Sequence, residues 1–380
     1  MNFELTEDQK MIRDMVRDFA RKHVAPGVLE RDQNGTFPRD LINQLGELGL
    51  MGMVYPEEYG GSAADTVSYA LAIEELARYD ASLAITVASH TSLGTGHLAM
   101  YGSDELKKKY LPDMVSGKRL AGWGLTETGS GSDASGMKTT AILDGDHWVI
   151  NGSKIFITQG TEGEVFVILA NTDKAKGAKG VSAFLLEKGM PGFSHGPKMH
   201  KLGLRSSDTA ELVFENVRVP KSHLIGHKDL GFIQSMKVLE GGRIGIGALA
   251  VGIARGSLED SVQYVQQRSQ FGGPIANQQA LRFMLADMWV QLEASRDLVL
   301  RAAVLKDAGK PYNKEAAMAK LYSSEAAMKI CHQGIQLHGG YGYMEEYHVE
   351  RYYRDVKLCE IGEGTSEIQR MVIARELLKA

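Results

Sequence analysis

The chain has 380 residues, with 43 Lys and Arg against 47 Asp and Glu and a formal net charge of −4. That length gives two or three domains with ample core, and the charge balance leaves no sequence-wide positive field for a nucleic acid or an anionic membrane surface. Charged residues at 24% and hydrophobic ones at 43% speak against long disorder, while 43 glycines exceed the usual share of about 7%, so some part of the chain needs backbone without side chains.

The first residues, MNFELTEDQK, are acidic and lack the apolar run of a signal peptide and the arginines of a transit peptide, the pattern of a cytoplasmic chain, or of a mitochondrial matrix protein only if this is a processed eukaryotic one. Thr6 with Gln9 predicts a capping box, and Met11, Ile12, Met15, Val16 and Phe19 then form one apolar stripe that ends before Pro26. Leu41, Ile42, Leu45 and Leu48 repeat the period before Gly49, Val67, Leu71, Glu74 and Leu76 mark a third helix, and Ser103 with Asp104 and Glu105 opens a fourth. Residues 81–103 contain no Asp, Glu, Lys or Arg, yet they are crowded with Ser, Thr, Gly and two His, which would not be stable in lipid.

From about residue 120 to 220 the texture changes to short β-branched runs: 138–143, 147–150, 165–169, 181–186 and 211–214, with Asp144-Gly145 and Asn151-Gly152 read as turns. Long helical patterns return over 231–268, 277–308, 314–338 and 363–379. The chain therefore reads as α+β and mainly α: an N-terminal α-helical domain (1–118), a small central β-domain (119–222) and a helical C-terminal domain (223–380). Cys331 and Cys359 have no C-x-x-C spacing and no adjacent histidines, so neither a disulfide framework nor a zinc or other metal site is suggested.

Four segments are candidates for chemistry. Gly245-Ile-Gly247-Ala-Leu-Ala250 matches a dinucleotide fingerprint, but it lies inside a helical pattern with no preceding strand, so small residues for close helix packing are the better reading. Segment 123–133 (WGLTETGSGSD) and segment 337–342 (LHGGYG) expose amides and hydroxyls that could cradle phosphate oxygens, or could be plain turns. In 361–370 (IGEGTSEIQR), Glu363 stands between two glycines before a helix. It is either a first-turn carboxylate with Ser366 and Gln369 as a capping box, or an uncrowded general base whose pKa burial would raise.

Together these segments resemble the acyl-CoA dehydrogenase family across essentially the whole chain, and most of all its short-chain, butyryl-CoA-dehydrogenase-like branch. The carriers are L-T-E-x-G-x-G-S-D (125–133) followed by I-N-G-S-K-x-F-I-T (150–158), then Q-F-G (270–272) with a downstream Gln, Q-x-x-G-G-x-G-Y (336–343) and E-G-T-S-E-I-Q-R (363–370), in the family's order. The resemblance implies a C-terminal four-helix bundle and FAD bound between β-domain, bundle and a neighbouring subunit of a homotetramer. It implies that Trp123, Leu125 and Thr126 line the flavin, that Ser132 contacts phosphate and substrate, and that Phe156 and Thr158 lie against the ring. Arg268, Phe271, Gln279, Gln336, Gly339 and Gly340 would reach FAD across the subunit interface, with Thr365 and Glu367 as further contacts. Glu363 is the catalytic base by this resemblance, with Arg243, Gly362 and Gly364 on the substrate side. The expected reaction is α,β-dehydrogenation of an acyl-CoA to the trans-2-enoyl-CoA, with electrons passed to electron-transferring flavoprotein; no nucleic acid or membrane insertion is expected.

Two departures matter. Some relatives carry the base just before the conserved arginine, where this chain has Gly242; Glu240 stays as an alternative base. Gly362 stands where butyryl- and medium-chain relatives have Tyr, which leaves room for a branched or longer acyl group unless Tyr341, Tyr343 or Phe232 fills the gap. No Arg or Lys occurs between Arg78 and Lys107, against an acyl group ending in carboxylate. An acyl-CoA oxidase and a catalytically silent acyl-CoA-binding protein are the rival readings.

Overall fold

The computed structural model describes residues 4–379. Helix α1 (Glu7–Phe19) opens with the expected capping box, in which Gln9 N donates to Thr6 Oγ1 at 3.2 Å and Thr6 N to Gln9 Oε1 at 3.0 Å. Helices α2 (Val28–Asn34) and α3 (Arg39–Glu47) follow. Every residue of α4 (Thr66–Ala77) is buried, Glu74 and Glu75 included. The charge-free stretch becomes α5 (Ala81–Ser89), a π-helical turn (His90–Thr95) and α6 (Gly96–Tyr101). Its polar groups are spent internally: Thr86 Oγ1 donates to Ser82 O at 2.9 Å and Ala121 N to His90 Nδ1 at 2.9 Å. Among the described residues no helix is long and apolar enough to cross a membrane. Helix α7 (Asp104–Val115) is capped by Ser103.

Eight strands follow: β1 (Ala121–Gly124), β2 (Thr140–Asp144), β3 (His147–Thr158), β4 (Val165–Asn171), β5 (Val181–Glu187), β6 (Phe193–His195), β7 (Thr209–Pro220) and β8 (Leu224–Ile225). They pair in the order β6-β7-β3-β2-β4-β5-β8, with β1 parallel to β4. Asp144-Gly145 makes the expected hairpin turn, whereas Asn151-Gly152 does not turn the chain. Strand β3 runs through it with a register shift against β7, and Gly152 takes φ +140° with the Thr139 backbone where a Cβ would sit. The dipeptide that signals a hairpin is here a bulge.

The C-terminal part holds α8 (Gly231–Gln267), a hairpin of β9 (Ser269–Gln270) and β10 (Gly273–Pro274), then α9 (Gln279–Asp307), α10 (Asn313–His338), α11 (His348–Ile361) and α12 (Ser366–Leu378). Sequence reasoning missed α11 because charge interrupts its apolar period. Arg351 and Asp355 occupy its inner face, buried and paired at 3.2 Å, and Leu204 N donates to Asp355 at 2.6 Å. The fingerprint-like glycines lie inside α8, where Gly245, Gly247 and Gly252 let α4, α9 and α10 approach.

One charged cluster fixes how α4 lies on α8. Arg255 of α8 donates to Glu74 at 2.9 Å and to both oxygens of Glu75 at 2.8 and 2.6 Å, Arg17 of α1 reaches Glu75 at 2.8 Å, and Arg296 of α9 reaches Glu74 at 2.7 Å. Arg255→Met leaves two buried carboxylates short of a cation, and the expected loss is about 3–5 kcal/mol. Urea unfolding of variant and parent measures it; a midpoint shift worth less than about 1 kcal/mol would show the cluster to be dispensable.

Candidate active site

Helix α11 ends at Ile361, and after four intervening residues α12 begins at Ser366. Between them Gly362 is extended, Glu363 takes φ +55° and Gly364 φ +92°. A non-glycine residue in the left-handed region is strained and persists only where its surroundings hold it. Here Lys320 Nζ of α10 donates to the Gly364 carbonyl, and Gln369 Nε2 donates to the same oxygen at 2.8 Å. The expected Ser366/Gln369 capping box does not form: Thr365 is the cap, accepting from Ile368 N at 3.4 Å, and Gln369 is spent on the loop.

The loop turns the Glu363 side chain inward against α8. Its Oε2 is enclosed and has no hydrogen-bond partner, although the residue as a whole is only half-buried. Gly242 lies directly beneath: a Cβ there would collide with Oε2 and stand 3.1 Å from Cδ, with Leu93 Cδ2 at 3.3 Å on the other side. A side chain at 242 would therefore point at the spot that Glu363 already fills. Burial pushes the carboxyl up to about 7, against the pull of Lys320 and Arg243. Lys320 is fully buried and makes no ion pair among the described residues; burial brings it down to about 8. Arg243, 5% exposed, donates from Nη1 to Asn313 Oδ1 at 2.8 Å and leaves Nε unpartnered, so its tie to α10 is to an amide and not to a carboxylate. Glu240 pairs with Lys237 at 3.0 Å, away from this point. A Cβ on Gly362 would come nearest Leu358, at 3.5 Å, an ordinary van der Waals contact. Tyr341 and Tyr343 stand in the segment after α10, and Phe232 packs against the apolar cluster that holds Trp123 and Leu93; none of the three is among the nearest neighbours of that position.

Trp123 on β1 is buried and donates from Nε1 to His97 Nδ1 at 3.0 Å; with that nitrogen accepting, Nε2–H faces Gln234 Oε1 at 3.2 Å. Burial brings His97 down to about 4 and keeps it neutral. The two motif segments are cross-linked beneath the surface. Lys154 Nζ donates to Leu125 O at 3.1 Å and to Glu127 at 2.8 Å, Ile155 N to Thr126 O at 2.9 Å, and Glu127 also accepts from Lys138 N and Thr139 N at 2.5 and 3.0 Å. Glu127 and Lys154 lie inside the quoted motifs, so the pattern contained them without revealing their role; His97 and Lys320 carry no sequence signal beyond being polar in apolar helices. Above this base Leu125 is buried, Thr126 and Thr158 are half-buried, Ser132 is exposed, and Phe156 is 65% exposed at φ +60°.

A second set lies elsewhere. Arg268, Gln336, Gly339 and Gly340 line an open groove of about 520 Å³, with the Arg268 guanidinium 5.6 Å from the Tyr341 ring. Phe271 is 94% exposed at the tip of the β9–β10 hairpin, and Gln279 is exposed at the start of α9. None of the residues from 123 to 158 lines this groove, so within one chain the two sets do not meet. Thr365 spends its hydroxyl as the cap and Glu367 is exposed on the first turn of α12.

An exposed aromatic on one surface, an arginine with no ion pair among the described residues and bare glycine amides on another, and an enclosed carboxylate suit a flavin with its pyrophosphate and a carbon acid, the parts of a flavin-dependent oxidoreductase. Three family models match in succession: acyl-CoA dehydrogenase N-terminal domain over 6–118, middle domain over 122–217 and C-terminal domain over 229–378. A probable acyl-CoA dehydrogenase of Bacillus subtilis is 50% identical over 380 residues, all of both chains. Butyryl-CoA dehydrogenase from Megasphaera elsdenii superposes with TM-score 0.98 at 45% identity over all of both chains. A chain in the structure of the electron transferring flavoprotein of Acidaminococcus fermentans, solved towards a mechanism of flavin-based electron bifurcation, superposes at 0.99 with 48% identity, again over all of both. The chain belongs to the acyl-CoA dehydrogenase family, whose enzymes are FAD-dependent oxidoreductases.

Replacing Lys320 by Met removes one of the two cations that hold the Glu363 carboxyl down, so its midpoint should move up from about 7, by roughly one unit. Carboxylate infrared difference spectra across pH, with Glu363→Gln to identify the band, measure it; an unmoved midpoint would mean that Lys320 holds only the loop.

Proposed function

We propose that the enzyme dehydrogenates short- to medium-chain acyl-CoA thioesters, branched ones included, to trans-2-enoyl-CoA, with Glu363 removing the α-proton and electrons leaving to an electron-transferring flavoprotein. The observation that carries this is the unpartnered Glu363 carboxylate enclosed against Gly242, a base with nothing to bind but a substrate proton. Likeness to a butyryl-CoA dehydrogenase and to a chain from an electron transferring flavoprotein structure supports substrate and acceptor.

Trp123, Leu125, Thr126, Ser132, Phe156, Thr158, Thr365 and Glu367 of one chain, with Arg268, Phe271, Gln279, Gln336, Gly339 and Gly340 of another, would hold the cofactor in a homotetramer divided at 118/119 and 222/223 into helical, β and bundle domains. Exposed Phe283, Trp289 and Val290 on α9 give such an assembly apolar surface to cover. When bound, FAD accepts the hydride from the β-carbon. The chain's own work is on the proton. Glu363 takes it from the α-carbon beside Gly362 and Gly364, the Glu363 backbone N–H faces the thioester oxygen as it gains charge, and Arg243 and Lys320 keep the base ionised despite burial. Cytoplasmic location belongs to the proposal, since Cys331 and Cys359 are free and buried, as in a reducing compartment.

Glu363→Gln keeps the shape and loses the base. Flavin reduction by butyryl-CoA should fall by several orders of magnitude while acyl-CoA still binds, and a slowing of less than about ten-fold in stopped flow would remove Glu363 from the role. In the parent enzyme the reactive form is the carboxylate, so the reduction rate rises with pH through a midpoint near 7.

A Cβ on Gly362 would touch Leu358 at ordinary van der Waals distance and clash with nothing nearer, so the position beside the base accepts a side chain. Gly362→Tyr should lower kcat/KM for isobutyryl-, isovaleryl- and octanoyl-CoA more than for butyryl-CoA, by roughly four- to fifteen-fold in the ratio. Equal losses across the four substrates would show the ring disturbing Glu363 and not selecting the acyl chain.

A further inference from the structure

The face of α8 that meets Glu363 meets a second buried polar group without a partner. Gly242 and Gly245, three residues apart, share that face, separated by about 4.5 Å along the axis. The Glu363 carboxylate stands over Gly242; over Gly245 stands the hydroxyl of Tyr69 from α4, 2.7 Å from where a Cβ would lie. Tyr69 is 4% exposed, and its Oη makes no hydrogen bond. The nearby Ser92 hydroxyl donates to the Ala88 carbonyl at 2.7 Å, and its oxygen bears on the phenol only weakly, against the upward push of burial. Leaving a phenol dry and unpaired is costly, and phenylalanine would fill the same volume without that cost. Other buried tyrosines of this chain do spend their hydroxyls: Tyr55 on the Thr91 carbonyl, Tyr110 on Glu187, Tyr352 on the Arg78 carbonyl. Tyr69 is further linked to the site by charge, since Glu363 adds to the burial that pushes its phenol up.

We propose that Tyr69 closes the inner end of the acyl site, its ring setting how many carbons fit between the α-carbon at Glu363 and helix α4. This inference rests on the acyl-CoA reading above and adds the depth of the site to it. The track runs over two glycines of α8, with Leu93 at its side and no Arg or Lys from 79 to 106, so its occupant is a hydrocarbon tail. Gly362 bears on width beside the base, and Tyr69 on length beyond it.

The FAD-loaded enzyme and its Tyr69→Phe, Tyr69→Leu and Tyr69→Ala variants are assayed for kcat/KM on butyryl-, hexanoyl- and octanoyl-CoA. Removing the ring should raise the octanoyl-to-butyryl ratio by about ten-fold or more in the Leu and Ala variants, while Tyr69→Phe, which keeps the ring, holds the parent's order of preference. A ratio within two-fold of the parent's in both Leu and Ala variants overturns the proposal, because a merely structural tyrosine lowers all three substrates together. A ratio that rises in Tyr69→Phe as far as in Tyr69→Leu also overturns it. If Tyr69→Ala does not fold, the Leu and Phe variants make the same comparison. A parent flavin that no acyl-CoA bleaches would sink the activity reading itself, an outcome distinct from an unmoved ratio.

Discussion

The bidentate grip of Arg255 on Glu75, with Glu74 held between Arg255 and Arg296, decides where α4 lies on α8. Where two helices meet partly through glycines, apolar contact alone sets their register loosely. A buried charge cluster cannot slide without stranding a carboxylate, so it fixes the register that small residues leave soft. That register sets the face of α8 carrying Gly242 and Gly245 opposite Tyr69, and it gives the loop after α11 a constant surface to close on.

Glu363 is reactive because three costly features coincide. Its backbone is strained, one of its carboxylate oxygens is enclosed without a partner, and Lys320 and Arg243 bear on it through space and not by hydrogen bonds. Each would relax if allowed. Lys320 and Gln369 prevent the first by holding the Gly364 carbonyl, and the absence of a side chain on Gly242 permits the second. Arg243 and Lys320 balance the burial so that the group titrates near neutrality, where a base both holds and releases a proton.

Much of this was legible in the sequence, for reasons that differ by element. The amphipathic α1 was readable from its cap and from Val16 and Phe19, which are buried, although Met11 and Met15 of the expected stripe are exposed. The motif positions, Glu363 above all, were found by resemblance and not by spacing. Three things were not legible. Helix α11 hides because its inward face holds an ion pair where apolar residues are expected. Asn151-Gly152 carries the same dipeptide whether a strand turns or bulges, and only pairing with β7 decides. Tyr69 lies in a helix buried so fully that no periodicity marks which side faces the site, and nothing in the residue types of His97 and Lys320 distinguishes them from other polar groups of their helices.

The unmatched pair of Glu363 and Lys320 also shapes how firmly the molecule holds together at different acidities. The carboxyl titrates at about 7 when folded against an ordinary 4.5, so the folded form binds the extra proton between those values and resistance to unfolding declines as pH climbs from 4.5 to 7. The lysine titrates at about 8 when folded against 10.5, so the unfolded chain binds the extra proton above 8 and resistance recovers only from there upward. Between pH 7 and 8 both groups are charged and both penalties stand in full. These two groups therefore cost the fold most in the range where the base is ready, and a molecule lodged beside Glu363 would offset their burial there.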